Sequence, residues 1–474
     1  MVGRPPVRML SPLAGLHRRR LGELEVTAQS VGTTAPAAAM ASVPALVAAE
    51  AGNATMWSFL VATLVVVLVA YCINQFARRM AASGSLYTFV ARGLGPVPAM
   101  LCAVGLVIGY GVLAMATLVL STGYLLGLAG TSGTAACVVM IALGAVAACV
   151  MTRGVTLSSR VTLGLEAAAI GAVVIVIGVL VARSGIHLPR MAGATPGGIG
   201  TGAALALTAF IGFESAAALG PETRRPYRSV SRAIARTVGG TAVLYAFAAW
   251  VQVAQFPGGT RGLAASTTPL PDLAARAGAG WLSGVLDLAI AASSFACATA
   301  SATALTRLVF SMAWEKVFPA ALGRTSARYR TPHVAIAVSW LAILAVPLAM
   351  VGTGKSLDDT FVDLVSVATF GYMLAYVLVC WALPRFLHRI GELTGAALCA
   401  GVAAGAVLLA VFAAYALPTS TPAHRELLLL SAGLVVAAMA GLLLRMRHRP
   451  DSQARIGVYD EPTAADLLHL PRAS

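Results

Sequence analysis

Long apolar blocks recur along this chain. Each is close to the length of about 20 residues that a helix needs to cross the hydrocarbon core of a bilayer. Twelve can be drawn, at 24–50, 54–77, 97–128, 133–152, 158–182, 200–220, 234–256, 281–306, 332–352, 360–383, 392–416 and 426–445. A water-soluble fold could not cover them, because 58% of the 474 residues are hydrophobic and only 11% are charged, too little polar surface for a soluble chain of this length. A transmembrane barrel would show short alternating segments instead. The sequence therefore predicts an all-α polytopic membrane protein with twelve transmembrane helices.

The net charge of +15 would fit a nucleic-acid partner if the basic residues formed a patch. They lie in the loops between apolar blocks instead, so membrane lipids are the expected surroundings and no nucleic acid is. An even helix number puts both chain ends on one side. With the ends inside, 27 of the 33 Lys and Arg residues fall in inner segments and 6 in outer loops, the bias of the positive-inside rule. Residues 1–23 and 449–474 are then cytoplasmic tails of a multi-pass plasma-membrane protein. The N-terminus carries Arg18-Arg19-Arg20 but no small-residue cleavage site after a compact apolar core. Seven cysteines lie inside apolar segments without a CxxC pair, and no His/Cys/carboxylate cluster has ligand spacing, so neither disulfide, metal nor other cofactor is expected.

Two blocks are interrupted. The first contains AQSVGTTAPAAAMASVP, residues 28–44, with Gly32, Thr33, Thr34, Pro36 and Pro44. The sixth contains FIGFESAAALGPETRRP, residues 210–226, where Gly212 stands beside Phe213 and Glu214. Proline removes a backbone donor and clashes one turn back. A charge at the centre of a bilayer helix costs about 2.5–3.5 kcal/mol on insertion scales. Broken backbone at membrane depth is tolerated where it is buried in protein or lines a cavity. Paired breaks at the start of two successive halves point to the binding site of an inverted-repeat transporter. On that pattern residues 24–182 form the first five-helix repeat, 183–199 an outer loop, 200–385 the second repeat, and 386–448 two further helices. Each break also reads as a packing kink, and Glu214 as an end-of-helix partner of Arg224 or Arg225.

Three stretches resemble the amino acid–polyamine–organocation permeases. FIGFESAAALGPETRRPYRSVSRAI (210–234) resembles their sixth helix and the loop after it. RRMAASGSLYTFVARGLGP (78–96) resembles the loop between helices 2 and 3, and ALTRLVFSMAWEKVFPAALGRTSARYRTPHVAI (304–336) the connection from helix 8 to helix 9. The resemblance spans about residues 24–445. It implies a LeuT-like fold and transport of amino acids or related amines, with the small-molecule substrate near the midplane between broken helices 1 and 6. Gly32, Thr33, Thr34 and Ala35 would then face the substrate's carboxylate end, and Phe210, Gly212, Phe213 and Glu214 the opposite side. Where many relatives carry a Gly-Ser/Thr-Gly break, this chain has Gly32-Thr33-Thr34 followed by Pro36. Thr34 has less backbone freedom than a second glycine.

Further candidates concern coupling. Glu166 is a lone acid within the fifth block, readable as a group that titrates during transport or as one that bonds a nearby Ser or Thr. Ser293 and Ser294 face helix 1 in the implied fold, where some relatives bind sodium; paired serines are also common packing residues. Relatives with a helix-5 lysine use it at that ion's place, and this helix 5 has none. A proton is the expected co-substrate, by symport or exchange. Tyr110, Asp287 and Asp363 read as packing or vestibule residues, and 255–271 as an outer loop. Neither HExxH nor GxSxG occurs, nor GxxxxGK[ST], so an embedded enzyme and an ATP-driven pump lack their motifs; no loop is long enough for a sensor's output domain. A passive channel stays open as an alternative to a permease.

Overall fold

Prolines and glycines decide where the helices of this chain stop. The computed structural model describes residues 16, 18–130, 134–185, 193–416, 422–448 and 455–460. Most of the two expected tails, and residues 186–192 of the expected loop 183–199, lie outside the described residues. Helix α1 (Glu23–Thr34) starts after Gly22, whose amide donates to the Glu25 carboxylate at 3.0 Å, and its first-turn acids complement the positive end of the helix dipole. Pro36 disfavours helical backbone at the residue before it. The chain turns at Ala35, with φ 42° and ψ 61°, and resumes as α2 (Pro36–Ala51).

The chain continues through α3 (Thr55–Ala77), α4 (Leu86–Leu94), α5 (Pro96–Ala129), α6 (Thr134–Thr152), α7 (Val155–Ser184) and α8 (Pro196–Thr208). A 3₁₀ helix, Phe213–Glu222, follows α8 after a second break. Next come α9 (Pro226–Gln255), α10 (Thr260–Ala264), α11 (Pro269–Arg276), α12 (Ser283–Trp314), α13 (His333–Gly352), α14 (Leu357–Arg389), α15 (Gly395–Ala416) and α16 (Pro422–His448). Among the described residues there is no strand, only the isolated bridges Leu21–Thr223 and Ala81–Asp460.

Eleven helical runs among the described residues are long and apolar enough to cross a membrane, and the first of them, Glu23–Ala77, is 55 residues long. That run holds α1, α2 and α3. As continuous helix it would reach roughly 80 Å, more than twice the hydrocarbon thickness of about 30 Å. On α3 the exposed side chains Leu60, Leu64, Val67 and Tyr71 recur every three or four residues, an apolar stripe that suits lipid.

At the centre, α5 packs against both α12 and α14. A Cβ on Gly105 would sit 2.8 Å from the Gly371 carbonyl, and one on Gly371 2.5 Å from the Gly105 carbonyl. Only glycine at both positions lets α5 and α14 approach this closely. Pro44, inside α2, cannot donate to the Met40 carbonyl one turn back. The Gln252 side chain of α9 donates to it instead, at 2.8 Å.

Several helices run beyond their apolar blocks. The seventh begins at Pro226 rather than 234, and the eighth continues to Trp314 rather than 306. The extra turns carry charge that finds partners: Arg232 pairs with Glu23, as does Arg236 in the next turn, and Arg307 with Glu222. Helices α4, α10 and α11 are too short to show in hydropathy. Residues 18–22 and 455–460 lie together on one end of the bundle, joined by the Arg18–Asp460 ion pair; we call this end the termini face.

Candidate substrate site at two helix breaks

The first break frees backbone groups that other helices then engage. Two amides at the start of α2 receive partners from α7 and α12. Ala37 donates to Glu166 Oε1 at 3.2 Å and Ala38 to Ser293 Oγ at 3.2 Å. Ser293 in turn donates to the same Glu166 oxygen at 2.9 Å. A carboxylate at the positive end of a half-helix is well placed electrostatically. Glu166 Oε2 and Ser294 Oγ are buried without a hydrogen-bond partner among the described residues. At the end of α1, Cys297 Sγ donates to the Thr33 carbonyl at 3.1 Å and the Tyr245 hydroxyl to that of Thr34 at 3.2 Å.

The second break lies between α8 and the 3₁₀ helix. Gly212 has φ 95°, a conformation that glycine adopts at no steric cost. A Cβ there would lie 2.3 Å from Thr33 Cγ2, so the two breaks touch. Around that contact Ser30 Oγ donates to the Phe213 carbonyl, Thr33 Oγ1 and Ser215 Oγ are 2.8 Å apart, and Ser215 donates to the Gln29 carbonyl at 3.1 Å. Gln29 reaches across to the Ala300 carbonyl of α12 at 2.8 Å. Glu214 is fully buried. Its two oxygens accept from Tyr110 of α5 at 2.9 Å and Tyr376 of α14 at 2.5 Å. Tyr376 Oη also accepts from the Gly212 amide at 3.3 Å, tying the acid to its own break.

A cavity with about 460 Å³ of atom-free space, part of it open to solvent, adjoins the breaks. Thr33, Thr34, Ala35, Ala38 and Cys297 line it at the first break. Leu46 of α2 and Phe361 near the start of α14 line it towards the end away from the termini face. Among the described residues no acidic or basic side chain lines it.

Of the residues expected at the substrate, Thr33, Thr34 and Ala35 line this cavity. Gly32 lies behind it, where a Cβ would sit 2.2 Å from Thr162 Cγ2 of α7. Phe210, Gly212, Phe213 and Glu214 are buried beside the cavity without lining it; Thr208, Ala209 and Ile211 do so instead. The turn falls at Ala35, one residue past the expected Gly32–Thr34, because Pro36 acts on the residue directly before it. Ser293 meets Glu166 and α2 together. Glu214 does not pair with Arg224 or Arg225: tyrosines hold it, and Arg224 Nε donates to the Arg20 carbonyl at 3.2 Å.

Tyr376, Tyr245, Ser215, Thr117 and Cys297 were not among the expected site residues. Of the two tyrosines on Glu214 only Tyr110 is among the sequence candidates, and no local pattern marks the other residues. Asp363 pairs with Lys355.

An all-helical bundle with many apolar spans, and a cavity where two broken helices meet, defines a polytopic membrane protein built around a discontinuous pair. Residues 21–439 match the sequence model of the amino acid permease family, and the chain belongs to that family. An uncharacterized transporter of Mycobacterium tuberculosis is 29% identical over 372 residues, covering 76% of this chain and 79% of the relative. The branched-chain amino acid permease BcaP of Bacillus subtilis is 24% identical over 377 residues, 75% and 78% respectively. Cationic amino acid transporter 4 of Mus musculus is 26% identical over 386 residues, 76% of this chain and 59% of the relative.

Proposed function

We propose that this chain is a secondary transporter that carries a neutral, aliphatic amino acid across the plasma membrane by alternating access. The observation that carries the reading is the cavity at the contact of the two breaks. Its wall combines hydroxyls, from Thr33, Thr34 and Thr117, with apolar side chains, among them Val43, Leu113, Ile211 and Val365. The first set suits the ammonium and carboxylate of an amino acid, and the second a branched hydrocarbon side chain. A cationic side chain would be desolvated there without a counter-charge, which is costly. Of the substrates in the relatives' names, the lining favours the branched-chain one.

Coupling is to protons. Glu166 is a buried acid that holds the Ala37 amide and the Ser293 hydroxyl with one oxygen and leaves the other unpartnered among the described residues. Adding a proton removes the charge that holds the half-helix, so loading the acid and moving α2 are linked. Twelve crossings follow if the Glu23–Ala77 run spans twice, which leaves both ends cytoplasmic, in line with the Lys and Arg bias. The five-plus-five repeat starts each half with a broken helix.

Purified protein in proteoliposomes tests this. Radiolabelled leucine or valine should enter by counterflow and be stimulated by an imposed pH gradient, with no sodium requirement. Arginine uptake matching leucine would reject the substrate class. Flux without counterflow would indicate a channel, and stimulation by sodium alone would reject proton coupling.

A further inference from the structure

The segment Arg455–Asp460 is fitted into the termini face by contacts from four separate parts of the chain. Gly457 and Val458 donate their amides to Glu315 Oε1, just past the end of α12, at 3.0 and 2.9 Å. The other oxygen of Glu315 accepts from the Tyr87 hydroxyl of α4. Arg92, also of α4, donates to the Gly457 carbonyl at 3.0 Å and stacks over the Tyr459 ring at 4.7 Å. Asp460 donates its amide to the Ala81 carbonyl at 2.7 Å. Its carboxylate, fully buried, is gripped by Arg18 at 3.0 Å through two nitrogens and by Arg19 at 3.1 Å.

The residues that grip Asp460 belong to the stretch leading into α1. That stretch is stitched to the end of the 3₁₀ helix: Arg19 N donates to the Pro221 carbonyl, Arg20 N and Leu21 N to that of Glu222, and Arg224 N to that of Leu21. On one side of the segment are therefore the ends of both broken helices. On the other are α4 and the end of α12. The cavity extends from the breaks away from this face, so these contacts close the bundle beneath it.

Gly457 has φ 85°, and a Cβ there would lie 2.6 Å from that of Ala91, so the segment fits its seat only with glycine at this position. The seat is also poised to open. Burial pushes the Glu315 carboxyl up to about 7, against the pull of the Tyr87 hydroxyl and the two amides; desolvation outweighs what the donors return. Joints of buried charge hold geometry well and add little net stability.

We infer that residues Arg455–Asp460 form a clamp that holds the termini face closed, and that the cavity opens to this face only when the clamp lets go. The inference rests on the alternating-access reading, since an opening there must part the broken-helix ends from α4 and α12. Its test reads opening directly rather than transport. Hydrogen exchange followed by mass spectrometry on the purified full chain compares wild type with Asp460→Asn and Gly457→Val, which undock the segment through charge and through shape. The expected result is exchange faster by about tenfold or more at residues 19–24 and 220–224 in both variants, with α5 unchanged. Asp460→Glu should restore much of the protection. If Asp460→Asn does not fold, Gly457→Val, which undocks the segment by shape and leaves the ion pair's residues in place, carries the test with the same expected result. Unchanged exchange at 19–24 and 220–224 with the segment undocked would overturn the clamp, whether or not counterflow is observed. Absent counterflow with faster exchange in the variants would overturn the transport reading and leave the clamp standing.

Discussion

The two breaks solve the same problem by different means. At the first, proline forces the turn and an alanine takes left-handed backbone, while the freed amides of α2 go to a carboxylate and a hydroxyl brought by α7 and α12. At the second, glycine supplies the turn at no steric cost, and the nearby acid belongs to the break itself and is held by tyrosines of α5 and α14. In the first break the acid is on another helix, so its charge can change while the half-helix stays intact. In the second the acid and the turn are joined through Tyr376, so disturbing one disturbs the other. The first arrangement suits a coupling element and the second a fixed wall.

The largest effect should come from filling the contact between the breaks. Gly212→Val places a β-branched side chain in left-handed backbone and against Thr33, a conformational strain of about 1–3 kcal/mol before the clash is counted. Loss of uptake with a clear drop in melting temperature is the expected outcome; normal uptake would mean that the breaks need not touch. Next is Glu214→Gln, which keeps the volume but can no longer accept from both tyrosines as an anion. Hydrogen bonds to charged groups contribute about 1.5–3 kcal/mol each, so uptake should fall at least tenfold while folded yield is largely kept. A variant that transports normally would show that the second break needs no charge.

Glu166→Gln sharpens the contrast from the other side. It should fold, keep exchange within a few fold of wild type, and lose its response to a pH gradient. A gradient response equal to wild type would clear Glu166 of coupling and make both acids structural. The smallest effect is expected for Ala35→Gly. Relief of left-handed backbone, about 1–2 kcal/mol for a residue with Cβ, is offset by the roughly 0.5–1 kcal/mol entropy of an added glycine. The melting temperature should rise by a few degrees at most, and a large fall would mean that the Ala35 methyl packs against substrate or wall.

Hydropathy alone marked out the spans, because lipid demands apolar length and nothing local can counterfeit it. The breaks were legible too, since Pro36 and Gly212 act on their own neighbours. What sequence could not locate were partners set by packing. Tyr376 meets Glu214 across 162 residues of chain, and no spacing rule links two such positions. Likewise the extra turns at 226–233 and 307–314 fall outside the apolar blocks because each carries arginine, yet they are helical, with Arg232 and Arg307 paired to acids elsewhere. Glu166 and Ser293 stand in the sequence as separate helix residues; that they share one hydrogen bond and cap one half-helix is a fact of the assembled bundle.

The joint between Arg18 and Asp460 closes over a sequence separation of 442 residues. A ribosome adding about 5–20 residues per second makes the first of these residues some tens of seconds, up to a minute or more, before the last. Once residues 213–222 have been made, the stretch leading into α1 has its seat against the 3₁₀ helix but not its final anchor. The two broken helices can thus enter the bilayer and find each other before that anchor exists, and the molecule locks only once residue 460 has been made. Chains cut short between residues 449 and 455 would keep every described helix but lack that lock, and so would be recognisable to quality control by an unfastened end rather than by a missing helix.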